Sequence, residues 1–221
     1  MREYSTTEEC LGAVIELLNE GSSTNSKEER ARLVGTARET VHDCLAIRPD
    51  DAEANYIAGL VMYDSFCLEE EYGSQAEIYL QKAVTLNPQH QFARMYLAHY
   101  YYDTGAYQEA LAFFETIRED YFLSMGQRWR VLKLHELMLC CKVFLNSPDI
   151  TTDSFDGLVQ EYLGVEDEDA PLPLELVSTL ASAQESAIWN RVNQLHVRDL
   201  IVQMTKKLSF YDALEDLISS I

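Results

Sequence analysis

Apolar residues recur at a fixed interval of 34 positions in the middle of the chain, and this period limits the folds available to it. The matched positions pair Ala76 with Ala110, Leu80 with Phe114, and Ala83 with Ile117. Upstream, Ala37, Val41 and Cys44 precede Ala76, Leu80 and Ala83 by 39 positions, and the five extra residues fall in the turn 65–73. A chain with such a period buries its apolar faces by stacking neighbouring repeats on one another.

The clearest unit of this period is 92–114, which has the pattern of two helices joined by a tight turn. Small residues lie where the helices would approach closely, at Ala98 and Ala110, and Gly105 lies where the turn requires a positive φ. The spacing resembles the tetratricopeptide repeat, whose 34-residue pattern runs from an aromatic residue through Leu-Gly, Tyr, a turn Gly, Ala, Phe and Ala to a closing Pro. The resemblance implies an all-α fold, a right-handed solenoid of about three helical hairpins followed by C-terminal capping helices.

The repeat pattern divides the chain into two parts. Residues 1–146 are predicted to form the repeat array, and residues 147–221 a C-terminal helical cap or extension with an acidic loop at 164–173. The array comprises a degenerate repeat, two better ones and a partial one, at 5–49, 52–88, 91–122 and 125–146. Repeat arrays need atypical helices that cover the last apolar face, so capping is favoured over a separate functional domain for the C-terminal third.

Helix starts are predicted where Ser or Asp precedes Glu by three positions, the spacing of a capping box. These pairs are Ser5–Glu8, Ser26–Glu29, Asp50–Glu53 and Ser74–Glu77. Apolar periodicity predicts further helices over 127–146, 154–163 and 209–221. The stretch 174–208 is predicted either as one long helix or as two helices that break near Trp189–Asn193.

The net charge of −20 is the most unusual property of the composition. Such a surface repels nucleic acids and anionic membranes, and it favours basic partners. The alternative is that acidic solvent-facing side chains only keep a helical protein in solution. The N-terminus has no apolar signal region and no apolar run reaches membrane-spanning length, so we expect a cytoplasmic protein.

The five cysteines show no metal-binding spacing. Because an odd number argues against a disulfide framework, they are predicted to be free thiols that pack as small apolar residues in a reducing compartment.

The candidate motifs for catalysis or metal binding each lack a required residue or spacing. His135-Glu136 resembles the start of a zinc-protease helix, but Leu139 occupies the position of the second histidine. The Asp-rich stretch 149–157 lacks the oxygen spacing of a calcium loop. We therefore expect no enzyme, no cofactor and no metal. The alternative is an enzyme with a site in the C-terminal third, near His196 and Asp199.

Tetratricopeptide arrays bind their ligands in a concave groove lined by the first helix of each repeat. The resemblance implies that the partner-binding residues lie at the corresponding positions here, which are Tyr56, Leu60, Tyr63, Asp64, Phe92, Met95, His99, Tyr102, Asp103 and Trp129. The Lys and Asn with which the best-known relatives clamp a C-terminal carboxylate are absent from these positions. Trp129 lies one position from the repeat register, which leaves both a groove position and a core position open.

These features predict a non-catalytic protein-interaction module, such as an adaptor, scaffold or chaperone. Its partner would be a protein or peptide segment with basic and apolar side chains, rather than a nucleic acid or a membrane. The alternative is an immunity or inhibitor protein that neutralises one basic toxin or effector domain. An unpaired terminal helix face would also allow self-association.

Overall fold

The computed structural model describes residues 6–67, 72–166, 169–183 and 186–221. These residues form α-helices and short 3-10 segments, and no strand occurs among them, which confirms the all-α prediction. The chain divides into two compact units, Met1–Thr104 and Gly105–Ile221. The predicted boundary after residue 146 therefore lies inside the second unit. In the described part of the chain, no helix combines the length and the apolar composition that crossing a membrane requires.

In the part of the first unit that the structure describes, five α-helices pack as consecutive neighbours. They are α1 (Thr7–Ser23), α2 (Lys27–Ile47), α3 (Ala52–Phe66), α4 (Gly73–Leu86) and α5 (Gln91–Asp103). The helices α1 and α2, and then α3 and α4, form the most extensive pairs, while α3 also contacts α1 and α5. The odd-numbered helices thus form one row, and α2 and α4 pack behind it.

Polar side chains begin these helices much as the capping pattern predicts. Ser26 Oγ accepts a hydrogen bond from the Glu29 N–H (3.2 Å), which begins α2. Asp51 Oδ1 accepts one from the Ala54 N–H (2.9 Å), so α3 begins one residue later than predicted. The prediction for α4 was wrong, since Ser74 lies inside a helix that begins at Gly73 without a side-chain cap. Each cap satisfies a backbone donor that the helix itself cannot.

A disulfide joins α1 to α2, contrary to the prediction of five free thiols. Cys10, near the start of α1, is bonded to Cys44, near the end of α2, and both side chains are fully buried. Counting cysteines failed here because one pair can form while the other three, Cys67, Cys140 and Cys141, take part in no disulfide. The bond ties the open end of the hairpin, opposite its connecting turn. The compartment in which the protein works stays a prediction.

The contact between α3 and α4 depends on Gly59. A Cβ added there would lie 2.5 Å from Leu80 Cγ and 3.1 Å from the Leu80 backbone nitrogen. Overpacking should cost the Gly59→Ala variant about 1–3 kcal/mol, and the preference of a helix for alanine over glycine offsets ~1 kcal/mol of that, which leaves a net loss of up to about 2 kcal/mol. Urea unfolding followed by circular dichroism measures the change.

The matched control for this prediction is Gly12→Ala in α1. A Cβ on Gly12 would meet no atom within 4 Å, so this substitution should stabilise the helix by up to about 1 kcal/mol. Opposite signs for the two variants are expected. If both shift the unfolding midpoint in the same direction, the close approach at Gly59 does not govern the packing of α3 on α4.

The second unit is built around α8. Its helices are α6 (Tyr107–Phe114), α7 (Glu119–Ser124), α8 (Arg128–Phe144), α9 (Thr152–Leu163), α10 (Leu174–Ser182), α11 (Gln194–Lys207) and α12 (Tyr211–Ser219), with a 3-10 helix at Ala187–Asn190. Helix α8 contacts α6, α7, α9 and α10, and α11 packs on α9 and α12. The core contains Phe114, Phe122, Phe155 and Tyr162, which are fully buried.

Sequence periodicity predicted most of these helices. The helices predicted at 127–146, 154–163 and 209–221 are confirmed as α8, α9 and α12. Of the two alternatives for 174–208, the broken one is confirmed, although α10 already ends at Ser182. The helix α7 was missed because it has only six residues. The predicted acidic loop 164–173 lies partly outside the described residues. Gly105 has φ +78°, as its turn requires.

Candidate functional site

A group of aromatic side chains lies on one side of α3 and α5 in the first unit. Phe92, Tyr96 and His99 follow one another along α5 at intervals of four and three residues, which places them on the same side of a helix. Tyr56 and Tyr63 occupy α3 at an interval of seven, two helical turns apart. We call these five residues the aromatic face.

Tyr96 lies close to three of the other four rings of the aromatic face. Its ring centroid lies 6.0 Å from that of Tyr56, 6.0 Å from that of Tyr63 and 6.1 Å from that of His99. The ring of Tyr56 also stacks against Phe92 at 6.2 Å. These separations are typical of favourable aromatic pairs, so the rings fix one another in place. Of the five, Tyr56 is buried and the other four are half-buried.

Carboxylates border the aromatic face. The Tyr63 hydroxyl donates a hydrogen bond to the exposed Asp103 carboxylate. Burial raises the pKa of the Tyr63 hydroxyl, and the Asp103 charge raises it further. Asp64, next to Tyr63 in the sequence, is half-buried. Burial raises the pKa of its carboxyl, and the Arg30 guanidinium, 3.8 Å away, offsets only part of that rise.

His90 completes this border at the start of α5. Its Nδ1 accepts a hydrogen bond from the Ala93 N–H (3.2 Å), so Nε2 carries the hydrogen and donates to the Glu53 carboxylate (3.0 Å). The His90 ring also lies 4.7 Å from the ring of Tyr56, centroid to centroid. One side chain thus begins α5 and connects it to α3.

The structure groups most of the residues predicted to bind a partner, but it does not place all of them on this face. Leu60 and Tyr102 are half-buried on α3 and α5. Met95 is 3% exposed and packs inside the unit, because one helical step turns it about 100° away from Tyr96. Trp129 belongs to the second unit, where it is 41% exposed and lies 4.2 Å from the Arg130 guanidinium. Its exposure rules out the core position.

Sequence reasoning missed Tyr96 and His90. The repeat template assigned the groove positions of α5 to residues 92, 95, 99, 102 and 103, and so it passed over Tyr96, whose ring lies near three others. The interval of four residues from Phe92 to Tyr96, followed by three to His99, was the signal that would have identified it.

The second unit contains a buried polar network between α8, α9 and α10. Glu136 is fully buried and accepts hydrogen bonds from the Tyr162 hydroxyl (2.8 Å) and the Leu176 N–H (2.9 Å). The Lys133 ammonium lies 2.6 Å from Glu136 and 2.5 Å from Glu175. Burial raises the pKa of Glu136, and Lys133 offsets part of that rise. Because the Leu176 N–H is a first-turn donor of α10, Glu136 acts as a cap for that helix from α8.

Other polar clusters of the second unit are small. His196 Nε2 lies 3.3 Å from the Asp156 carboxylate. The alternative of an enzyme site paired His196 with Asp199, but the carboxylate that His196 contacts is that of Asp156. A cleft of about 190 Å³ is lined by His135, Met138, Leu139, Lys142, Asp149, Ile150 and Ser154. Across ranges 6–67, 72–166, 169–183 and 186–221, no three His, Cys, Asp or Glu side chains converge as metal ligands would.

Comparison with known proteins adds no family assignment. The chain matches no protein-family model, and no curated protein is significantly similar to it.

Proposed function

We propose that this chain is a non-catalytic protein-interaction module whose aromatic face binds a protein segment with basic and apolar side chains. The observation that carries the proposal is the coincidence of packed aromatic rings with the carboxylates of Glu53 and Asp103, which bond to His90 and Tyr63 at the edge of those rings. Asp64, which follows Tyr63 on α3, adds a third carboxylate. Aromatic faces attract Lys and Arg side chains by cation–π interaction, and carboxylates at their edge add charge complementarity.

The packing of the first unit supports the same proposal. The helices α1 to α5 alternate between two rows, as helix pairs do when they stack in tetratricopeptide-like repeats. In such an arrangement α3 and α5 would be the first helices of consecutive repeats, which carry the groove residues. The net charge of −20 would also accelerate the approach of a basic partner.

A random peptide library tests the chemistry of the partner. Peptides selected on the wild-type protein should be enriched in Lys or Arg beside an apolar anchor, and salt should weaken their binding. The Asp64→Asn/Asp103→Asn variant should bind them about tenfold more weakly, because it removes two charges while the amide oxygen introduced at position 103 can still accept the Tyr63 hydrogen bond. Phe92→Ala should weaken binding by a similar factor. Fluorescence anisotropy with labelled peptides measures each affinity.

Two control variants carry the same kinds of change on the other row of helices. Glu39→Gln/Asp43→Asn removes two charges from α2, and Ile78→Ala truncates a side chain of α4 that is 63% exposed. Both should bind the selected peptides with wild-type affinity. Selected peptides without basic residues, or equal losses in the control and face variants, would refute the proposal. Circular dichroism verifies that every variant is folded.

A further inference from the structure

His135 connects three helices of the second unit through both of its ring nitrogens. It lies on α8, and its Nδ1 is 2.5 Å from Glu161 Oε2 on α9. Its Nε2 is 3.1 Å from Oε1 of Glu119, the first residue of α7. Two carboxylates can both accept hydrogen bonds from this ring only when both nitrogens carry hydrogen, which is the imidazolium form.

We propose that His135 is a pH-dependent latch that holds α7 and α9 against α8 when it is protonated and releases α7 when it loses its proton. The neutral ring has a single N–H, which the shorter contact with Glu161 would retain. The unprotonated Nε2 would then present a lone pair to the Glu119 carboxylate, so that contact changes from attraction to repulsion.

The helix α7 is the element most easily released. It has six residues, and its ends are closed by three-residue turns, as in the bonds from Tyr121 N–H to Arg118 O (3.2 Å) and from Met125 N–H to Phe122 O (3.1 Å). Helices this short have little stability of their own. The buried ring of Phe122 and the contact from Glu119 to His135 both attach it to the unit. Loss of one attachment should therefore open α7 locally without unfolding the rest.

The charged groups around His135 favour its protonated form. Burial alone would lower the pKa of His135, but the hydrogen bonds and charges of Glu161 and Glu119 raise it by more, so the pKa lies above its ordinary value of 6.5. Some of the other charges on the neighbouring elements pair with one another: Lys142 with Asp149 across the cleft that His135 lines, and Arg118 with Asp120 beside α7. On the far side of α8, Lys133 is bound to Glu136 and Glu175.

The sign of the pH dependence follows from the raised pKa. A histidine that gains protons on folding contributes its stabilisation in full below the pKa of the unfolded state, near 6.5, and loses it as pH rises through the higher folded value. The α7 contact should thus be closed in mildly acidic solution and open in alkaline solution. The ratio of open to closed α7 should therefore rise with pH across this range.

Amide hydrogen exchange of a peptide covering α7 tests the latch, with rates divided by the intrinsic rate at each pH. In the wild type, protection of α7 should fall as pH rises from 6 to 9. In His135→Gln it should be low and independent of pH, while His196→Gln, which removes the other carboxylate-bound histidine of this unit, should follow the wild type. Histidine ring NMR should place the His135 pKa above 6.5, and Glu119→Gln and Glu161→Gln should each lower it.

Two results would overturn the latch. In the first, α7 protection falls with rising pH in His135→Gln just as it does in the wild type. In the second, the pKa of His135 is at or below 6.5. Should His135→Gln fail to fold, Glu119→Ala serves as the second variant, since it removes the carboxylate that Nε2 contacts and leaves His135 and Glu161 in place. Protection of α7 in Glu119→Ala should be low at every pH, and a wild-type profile there would equally refute the proposal.

Discussion

Replacement of Cys10 and Cys44 by alanine is expected to lower the free energy of unfolding of the first unit by about 4 kcal/mol. The disulfide closes a loop of 34 residues, and the chain-entropy model assigns roughly this stabilisation to a loop of that size. The bond ties the open end of the α1–α2 hairpin, and α2 in turn packs on α3. Loss of the bond should therefore weaken the support of the helix that carries Tyr56 and Tyr63.

Alkylation and unfolding experiments check this prediction. Under denaturing, non-reducing conditions three thiols should react, those of Cys67, Cys140 and Cys141, and after reduction all five. The two tryptophans, Trp129 and Trp189, both lie in the second unit. Tryptophan fluorescence should therefore report little change, while the circular dichroism of the first unit's helices is lost at lower urea concentration. The Cys67→Ala variant is the control and should unfold like the wild type. Five reactive thiols before reduction would disprove the bond.

Replacement of Glu136 by alanine should destabilise the second unit by about 3–5 kcal/mol. The substitution leaves the Tyr162 hydroxyl and the Leu176 N–H without their acceptor, and it leaves Lys133 with only the partly exposed Glu175 and the Leu172 carbonyl. Breaking a buried ion pair on one side costs this much because the remaining charge stays in a medium of low dielectric constant. Here tryptophan fluorescence is the appropriate measurement, since it follows the second unit.

Two further variants separate the buried network from a general effect of removing charge. Asp120→Ala breaks the exposed ion pair with Arg118 and should leave the unfolding midpoint nearly unchanged. The double variant Lys133→Met/Glu136→Met should cost less than the sum of the two single substitutions, since it removes both charges together. A Glu136→Ala midpoint equal to that of the wild type would show that Glu136 does not hold α10 in place.

Much of the fold was predictable because the signals are local. The N-cap at Ser26, the positive φ at Gly105 and the helices α8, α9 and α12 each depend on residues a few positions apart. The features that sequence reasoning missed are of another kind. The bond from Cys10 to Cys44 depends on how two helices lie beside each other, and α10 is capped by Glu136 from forty positions away. No local pattern encodes either contact.

The candidate site was partly predictable for the same reason. The repeat template located α3 and α5, and it included Tyr56, Tyr63, Phe92, His99 and Asp103, which the structure groups together. It assigned Met95 to the surface instead of Tyr96, because a template transfers positions without testing which way each side chain points. A shift of one residue along a helix turns a side chain by about 100°, enough to exchange a core residue for a surface one.

The most direct test of the proposed function is affinity capture from a lysate of the source cells, followed by mass spectrometry. The wild type is compared with Phe92→Ala/Asp103→Asn on the aromatic face and with Ile78→Ala/Glu39→Gln on the other row of helices. We expect that the wild type and the control variant capture the same proteins and that the face variant fails to capture them. A single dominant partner among them would favour an inhibitor, and several would favour an adaptor or chaperone. Capture that the face variant retains in full would contradict the account.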